Sequence, residues 1–296
     1  MEGLMADSKD PISLVGELLD GWLERQVSPE GLAWLRQRIE KISAGDQKAL
    51  FLAFGMVPRK LGKDDLNLNE DDLNSADSAR SGWNPKNWTV DQTARTRLVL
   101  AAASCPEVDF VETLDKLFAS GEVGELVSLY QALPVLPYQA THALRASEGT
   151  RTNIKSVFCA VAHYNPYPAE QLDENRWNQM VLKSLFIDAP LWPIVGLDER
   201  ANPALARMLV DYAHERWAAG RSISPELWRC VGPFADKSAL QDLKRVLETG
   251  GEKEQAAAAL ALSVCPKPQA AELLESHRKL AQKIQSGELN WSQFAS

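Results

Sequence analysis

Cysteine is scarce in this chain: Cys105, Cys159, Cys230 and Cys265 stand far apart, with no C-x-x-C pair. That spacing argues against a disulfide framework and suits reduced, buried thiols in a reducing compartment. Positive charge is also in deficit, because 32 Lys and Arg face 40 Asp and Glu for a net charge of -8. The resulting field repels phosphate backbones and anionic lipid, so no nucleic-acid partner is expected. The one small basic cluster, Pro58-Arg59-Lys60, reads as the polar end of a helix. No apolar run approaches the roughly 20 residues of a membrane helix. Met1–Asp10 also lacks the basic and apolar regions of an export signal. The sequence therefore predicts no membrane span and a cytoplasmic location.

Standard reactive signatures are missing too. There is no G-x-S-x-G, no G-x-x-x-x-G-K-[ST], and no G-x-G-x-x-G following a strand. His214-Glu215 lacks the second histidine of a zinc motif, and His142 and His277 are isolated, so neither a metal nor a cofactor is expected. Asp-Asp pairs occur only within an acidic stretch, Gly62–Asn87, and not on the helices that metal-diphosphate chemistry requires. The carboxylates there fit no EF-hand spacing, and a solvated loop with at most a short helix is the simpler reading.

What is present is one-sided hydrophobicity. No segment alternates apolar and polar residues long enough for a strand, whereas a 3.6-residue period recurs nearly throughout. Val15, Leu18, Leu19 and Trp22 stripe a first helix, and Ser28-Pro29 starts a second bearing Leu32, Leu35, Ile39 and Ile42. A third runs from about Asp46 to Met56 and stops before Pro58. Thr89-Val90-Asp91-Gln92 reads as a capping box opening a helix to Ala103. Near the end, Leu240, Leu243 and Leu247, then Ala257, Leu260, Ala261 and Val264, then Leu273, Leu274, His277, Leu280 and Ile284 mark three helices joined by short turns. Such pairs pack as antiparallel neighbours, so the expected class is all-α: stacked antiparallel helical hairpins in an α-solenoid, HEAT-like superhelix. The expected division is an N-terminal helical region over 1–58, an acidic loop or linker over 59–88, and a helical domain over 89–296, with the two helical parts compatible with one continuous domain.

Between Gly149 and Phe234 the design changes. Gly149-Thr150-Arg151-Thr152-Asn153 is followed by His163-Tyr164-Asn165-Pro166-Tyr167-Pro168, Trp177-Asn178-Gln179-Met180-Val181-Leu182-Lys183, Gly196-Leu197-Asp198 and Glu215-Arg216-Trp217-Ala218-Ala219-Gly220-Arg221. With Trp88 and Asp91-Gln92 upstream, this order of motifs resembles the EboA family. The resemblance implies a helical fold and a place in bacterial clusters that encode a prenyltransferase-like enzyme and sugar- or hydrolase-like enzymes. These clusters move secondary-metabolite precursors toward the periplasm. The cluster's proteins and a hydrophobic metabolite are thus the implied partners; no catalytic residue transfers with the resemblance.

The candidate ligand-binding residues are Arg151, Asn153, His163, Asn165, Tyr167, Trp177, Asn178, Gln179, Asp198, Arg200 and His214. Arg151 and Asn153 read as the first turn of a helix, where free N–H groups and a guanidinium could hold an anion; Thr150 as a cap and Arg151 in an ion pair is the plainer alternative. The two prolines beside Asn165 stiffen either a site or a corner. Arg207, Asp211 and His214 share one helix face, as an oriented imidazole or as a surface row in which Arg207 and Asp211 pair. Trp22, Trp34, Trp217 and Trp228 fall at core positions, whereas Trp83, Trp88, Trp177 and Trp192 flank loops and could wall a pocket. The leading expectation is a non-catalytic adaptor or carrier. The alternatives are an enzyme modifying a prenylated or aromatic precursor and a purely structural subunit.

Overall fold

The structure is a computed structural model that describes residues 10–295; apart from Asp10, the segment read as lacking an export signal lies outside them. Among the described residues the chain is all-helical, without a β-strand; an isolated bridge joins Asp65 and Thr89. No helix among them is long and apolar enough to cross a membrane. Contacts gather the chain into two compact units, Met1–Leu172 and Asp173–Ser296.

The first unit holds α1 (Pro11–Glu24), α2 (Pro29–Ser43), α3 (Gln47–Leu61), α4 (Glu70–Ala79), α5 (Val90–Ala101), α6 (Glu107–Ser120), α7 (Val123–Ala132), α8 (Ala143–Gly149), α9 (Lys155–Ala162) and α10 (Tyr167–Gln171). Helix α5 is central, with α1, α2, α3 and α7 packed around it. Ser28 caps α2 by accepting from Gly31 N at 3.2 Å, as the Ser-Pro pair predicts. At Thr89 half of the expected capping box forms: Gln92 Oε1 accepts from Thr89 N at 3.0 Å, while the Thr89 hydroxyl turns to the Asp91 carboxylate. The helix yields to a 3-10 turn at Ala102 rather than reaching Ala103 as α-helix.

Helix α3 runs through Pro58 instead of stopping before it. Proline there cannot donate to the carbonyl of Phe54 one turn back. Arg95 of α5 replaces the missing donor, its Nε reaching Phe54 O at 3.1 Å while its guanidinium lies 5.4 Å from the Phe54 ring centroid. Arg95 is itself buried and paired with Asp91 at 2.7 Å. The acidic stretch also contains more helix than expected. Asn69 and Asp72 form a reciprocal capping box at the start of α4, and Arg25 donates to Asp72 at 2.7 Å. Burial would raise the Asp72 pKa, but the bonds from Asn69 and Arg25 outweigh it and hold the carboxyl below its ordinary value. Trp83, at the end of this stretch, is wholly buried between Trp22 and Trp88, each 5.7 Å away by ring centroid.

The second unit holds α11 (Glu174–Phe186), α12 (Pro203–Ala218), α13 (Leu227–Val231), α14 (Lys237–Thr249), α15 (Glu252–Ser263), α16 (Pro268–Ser276) and α17 (Arg278–Gln285). Helix α15 is its axis, touched by α13, α14, α16 and α17, and Ala257 through Leu262 are all buried. A helix apolar all round belongs inside, and its alanines let neighbours approach closely. Gly232 uses that space: a Cβ there would stand 2.5 Å from Ala261 O. The stripe over Leu273–Ile284 is two helices, not one. It breaks at His277, which lies in the apolar stripe but is only half-buried, with Nδ1 3.1 Å from Leu273 O.

All four cysteines are free. Cys230 is buried, and that burial pushes its thiol up to about 12, whereas Cys105, Cys159 and Cys265 are only half-buried.

Candidate functional site

Five of the candidate residues belong to the first unit. Arg151 and Asn153 are exposed in the connection between α8 and α9, not in the first turn of a helix. The expected opening at Gly149 is in fact a closing: a Cβ on Gly149 would stand 2.6 Å from both Tyr130 and Val161, so glycine is needed there for packing. Correspondingly, the Thr150 hydroxyl donates to Ser147 O at 2.9 Å and serves the end of α8. His163 is the half-buried residue closing α9. Asn165 is buried and fully engaged, donating to Tyr130 O at 3.0 Å and Ala160 O at 3.1 Å while accepting from Tyr167 N at 3.0 Å. Tyr167 donates its hydroxyl to Gln139 O, and burial, first among the causes, raises its pKa. Those bonds make the proline-flanked turn a corner.

The other six lie in the second unit. Trp177, Asn178 and Arg200 come together: Asn178 and Asn202 exchange amide hydrogen bonds of 3.2 and 2.8 Å, and Arg200 lies 4.8 Å from the Trp177 ring centroid. Asn202, a residue absent from the candidate set, caps α12 through Leu205 N at 2.9 Å. An Asn-Pro pair at a helix start is the signal that could have found it. The buried Trp177 indole N–H has no hydrogen-bond partner among the described residues, and burial lowers the Arg200 pKa. Gln179 is exposed on α11. Asp198 holds Arg229 with two bonds, of 2.7 and 2.6 Å.

His214 pairs with Asp242 of α14 at 2.7 Å, not with Asp211 of its own helix, and Arg207 and Asp211 form no ion pair. His214, Asp211, Arg207 and Phe234 line a pocket of about 300 Å³. Trp217 and Trp34 are partly exposed rather than core, and Arg245 stacks 4.6 Å from the Trp217 centroid.

A larger cleft of about 570 Å³ opens within this unit between the end of α11, α12 and the segment before α13. Leu185, Trp192, Tyr212, Ile223 and Phe294 line one part of it with apolar and aromatic groups, and Asp188, Arg216, Ser222, Ser224 and Glu226 line the rest with polar and charged ones. Glu226 Oε1 accepts from Trp192 N at 2.6 Å and Oε2 from Leu191 N at 3.1 Å, fixing the loop that carries Trp192. Burial, outweighing these two bonds, raises the Glu226 pKa. Tyr212 donates to Leu185 O at 3.2 Å, locking the ring that forms the opposite wall. Of these residues only Trp192 was weighed from the sequence as a pocket wall. Glu226 carries a weak signal, a lone acid between Ile223 and Leu227-Trp228 in an apolar stretch.

Among the described residues, no group of three or more His, Cys, Asp or Glu is arranged to hold a metal ion. A concave cleft that combines aromatic side chains with polar groups fixed by hydrogen bonds has features of a small-molecule site.

No curated protein and no solved structure matches the chain. A family model described as metabolite traffic protein EboA matches residues 15–232, which include every candidate residue and all of the cleft's wall except Phe294. The chain belongs to the EboA family.

Proposed function

We propose that this protein is a cytosolic, non-catalytic carrier or adaptor that binds a secondary-metabolite precursor and passes it between the enzymes of its cluster on the way to the periplasm. The observation that carries this reading is the cleft of about 570 Å³, formed by the family-matched segment apart from Phe294, with aromatic and apolar residues beside polar ones on its walls and braced by Glu226 and Tyr212. Such a cavity is large enough for a metabolite and rigid enough to retain one without new ordering of side chains. The adjoining helical pairs, read as a HEAT-like stack, provide the surface on which partner enzymes dock.

Deletion of the gene in a producing organism tests this. A carrier leaves the precursor chemically complete but retained where it is made; accumulation of a chemically earlier compound would contradict the proposal. That outcome belongs to the second reading, an enzyme acting on a prenylated or aromatic precursor, which draws on the His214–Asp242 pair beside its own pocket. A carboxylate can orient an imidazole for proton transfer. Under the carrier reading, His214→Ala leaves precursor export unchanged, and loss of the mature metabolite with build-up of an earlier compound would favour the enzyme.

A further inference from the structure

Glu226 is electrostatically unfinished. It is 7% exposed, and no cation stands within ion-pair distance of it among the described residues. Arg229 acts on it from farther away, but that guanidinium is held by both oxygens of Asp198. Arg216 lines the same cleft, yet it donates through Nε and Nη2 to Ser222 O at 3.0 and 2.9 Å, and its charge is felt at the Tyr212 hydroxyl rather than at Glu226. A carboxylate offers roughly four acceptor positions, and the two backbone amides of Leu191 and Trp192 use two. A buried carboxylate lacking a counter-ion is unfavourable, consistent with the rise in its pKa. The same cleft is lined by Trp192, Tyr212 and Phe294, aromatic residues whose ring faces attract cations, and by a second carboxylate, Asp188, so negative charge outnumbers the single guanidinium of Arg216 there.

We infer that the cleft takes a ligand bearing a protonated primary amine, with the ammonium on Glu226 and the apolar body against Trp192, Tyr212 and Phe294. The inference rests on the carrier reading and adds the charge of the cargo to it. An ammonium supplies the missing counter-ion and up to three donors, whereas a neutral ligand of equal shape leaves the carboxylate uncompensated. If Glu226 served only to tie down the Leu191-Trp192 loop, the cleft would have no preference for charge.

The test is a titration of the full chain with 2-phenylethylamine, 2-phenylethanol and 3-phenylpropanoate, followed by the amide and indole NMR resonances of Trp192. The amine is expected to bind about tenfold or more tightly than the alcohol, with the acid weakest. Glu226→Gln, checked for folding by the same spectrum, is expected to remove most of the amine's advantage over the alcohol, while Asp188→Asn is expected to leave most of it in place. If the variant does not fold, the ranking of the three probes on the unaltered protein decides alone. Equal binding of amine and alcohol would overturn the charge inference and leave the carrier reading standing. Failure of all three probes to move any cleft resonance would overturn both.

Discussion

In the first unit Arg95 serves two partners at once. It supplies the hydrogen bond that Pro58 withholds from Phe54 and neutralises the buried Asp91. Arg95→Met removes both at once, and breaking one side of a buried pair is expected to destabilise the fold by about 3–5 kcal/mol. Asp91→Asn combined with Arg95→Met leaves no uncompensated charge and should recover part of that loss, as urea unfolding of the single and double variants would reveal. His142 sets a pH dependence. Burial, the largest influence, lowers its pKa from the ordinary 6.5, and its Nε2 lies 2.8 Å from Pro137 O. The unfolded chain therefore takes up a proton near pH 6.5, before the folded chain does. Acidification from there toward the folded value should drain stability, and His142→Gln should show a shallower fall in melting temperature across that window. The Asp91–Arg95 pair has ordinary i,i+4 spacing, but the bond to Phe54 could not be read from sequence: Arg95 lies 41 positions from Phe54, and only the packing of two helices brings them together.

Helices were legible wherever a face was apolar and an end was capped, as at Ser28-Pro29 and along α12 and α14, because those signals are local. Two readings failed, and a third, the acidic stretch with at most a short helix, came out with more helix than expected, each for a reason that is not local. Pro58 did not end α3 because a residue from another helix served the orphaned carbonyl. The acidic stretch formed α4 because the Asn69–Asp72 box and Arg25 compensate its carboxylates. The segment at Gly149 closed a helix because Tyr130 and Val161 leave no room for a side chain. Two substitutions measure this close packing. Gly149→Ala pushes a methyl against Tyr130 and Val161, side chains that can shift, and should cost about 1–3 kcal/mol. Gly232→Ala meets the backbone of Ala261, which cannot easily yield, and is expected to lower the melting temperature further than Gly149→Ala does.

At the scale of the whole molecule, the all-helical class was open to periodicity, and the family was open to the order of its motifs. The candidate site was only partly so. The motif residues Asn165 and Tyr167 build a corner, and Asn178 and Trp177 build an internal brace, whereas the cleft is lined by Tyr212, Ile223, Glu226 and Phe294, which look in sequence like ordinary core and loop residues. A concave surface depends on which faces remain uncovered after packing, and no local pattern encodes that. The claim on which the functional account depends is that this cleft holds cargo. Ser224→Trp, which places an indole in the cleft from a half-buried position, serves as its control. Native mass spectrometry of the protein isolated from cells that make the precursor is the most direct measurement. We expect a retained small molecule on the unaltered chain that is absent from folded Ser224→Trp; an unaltered chain that emerges empty, or a variant that retains the same mass, would contradict it.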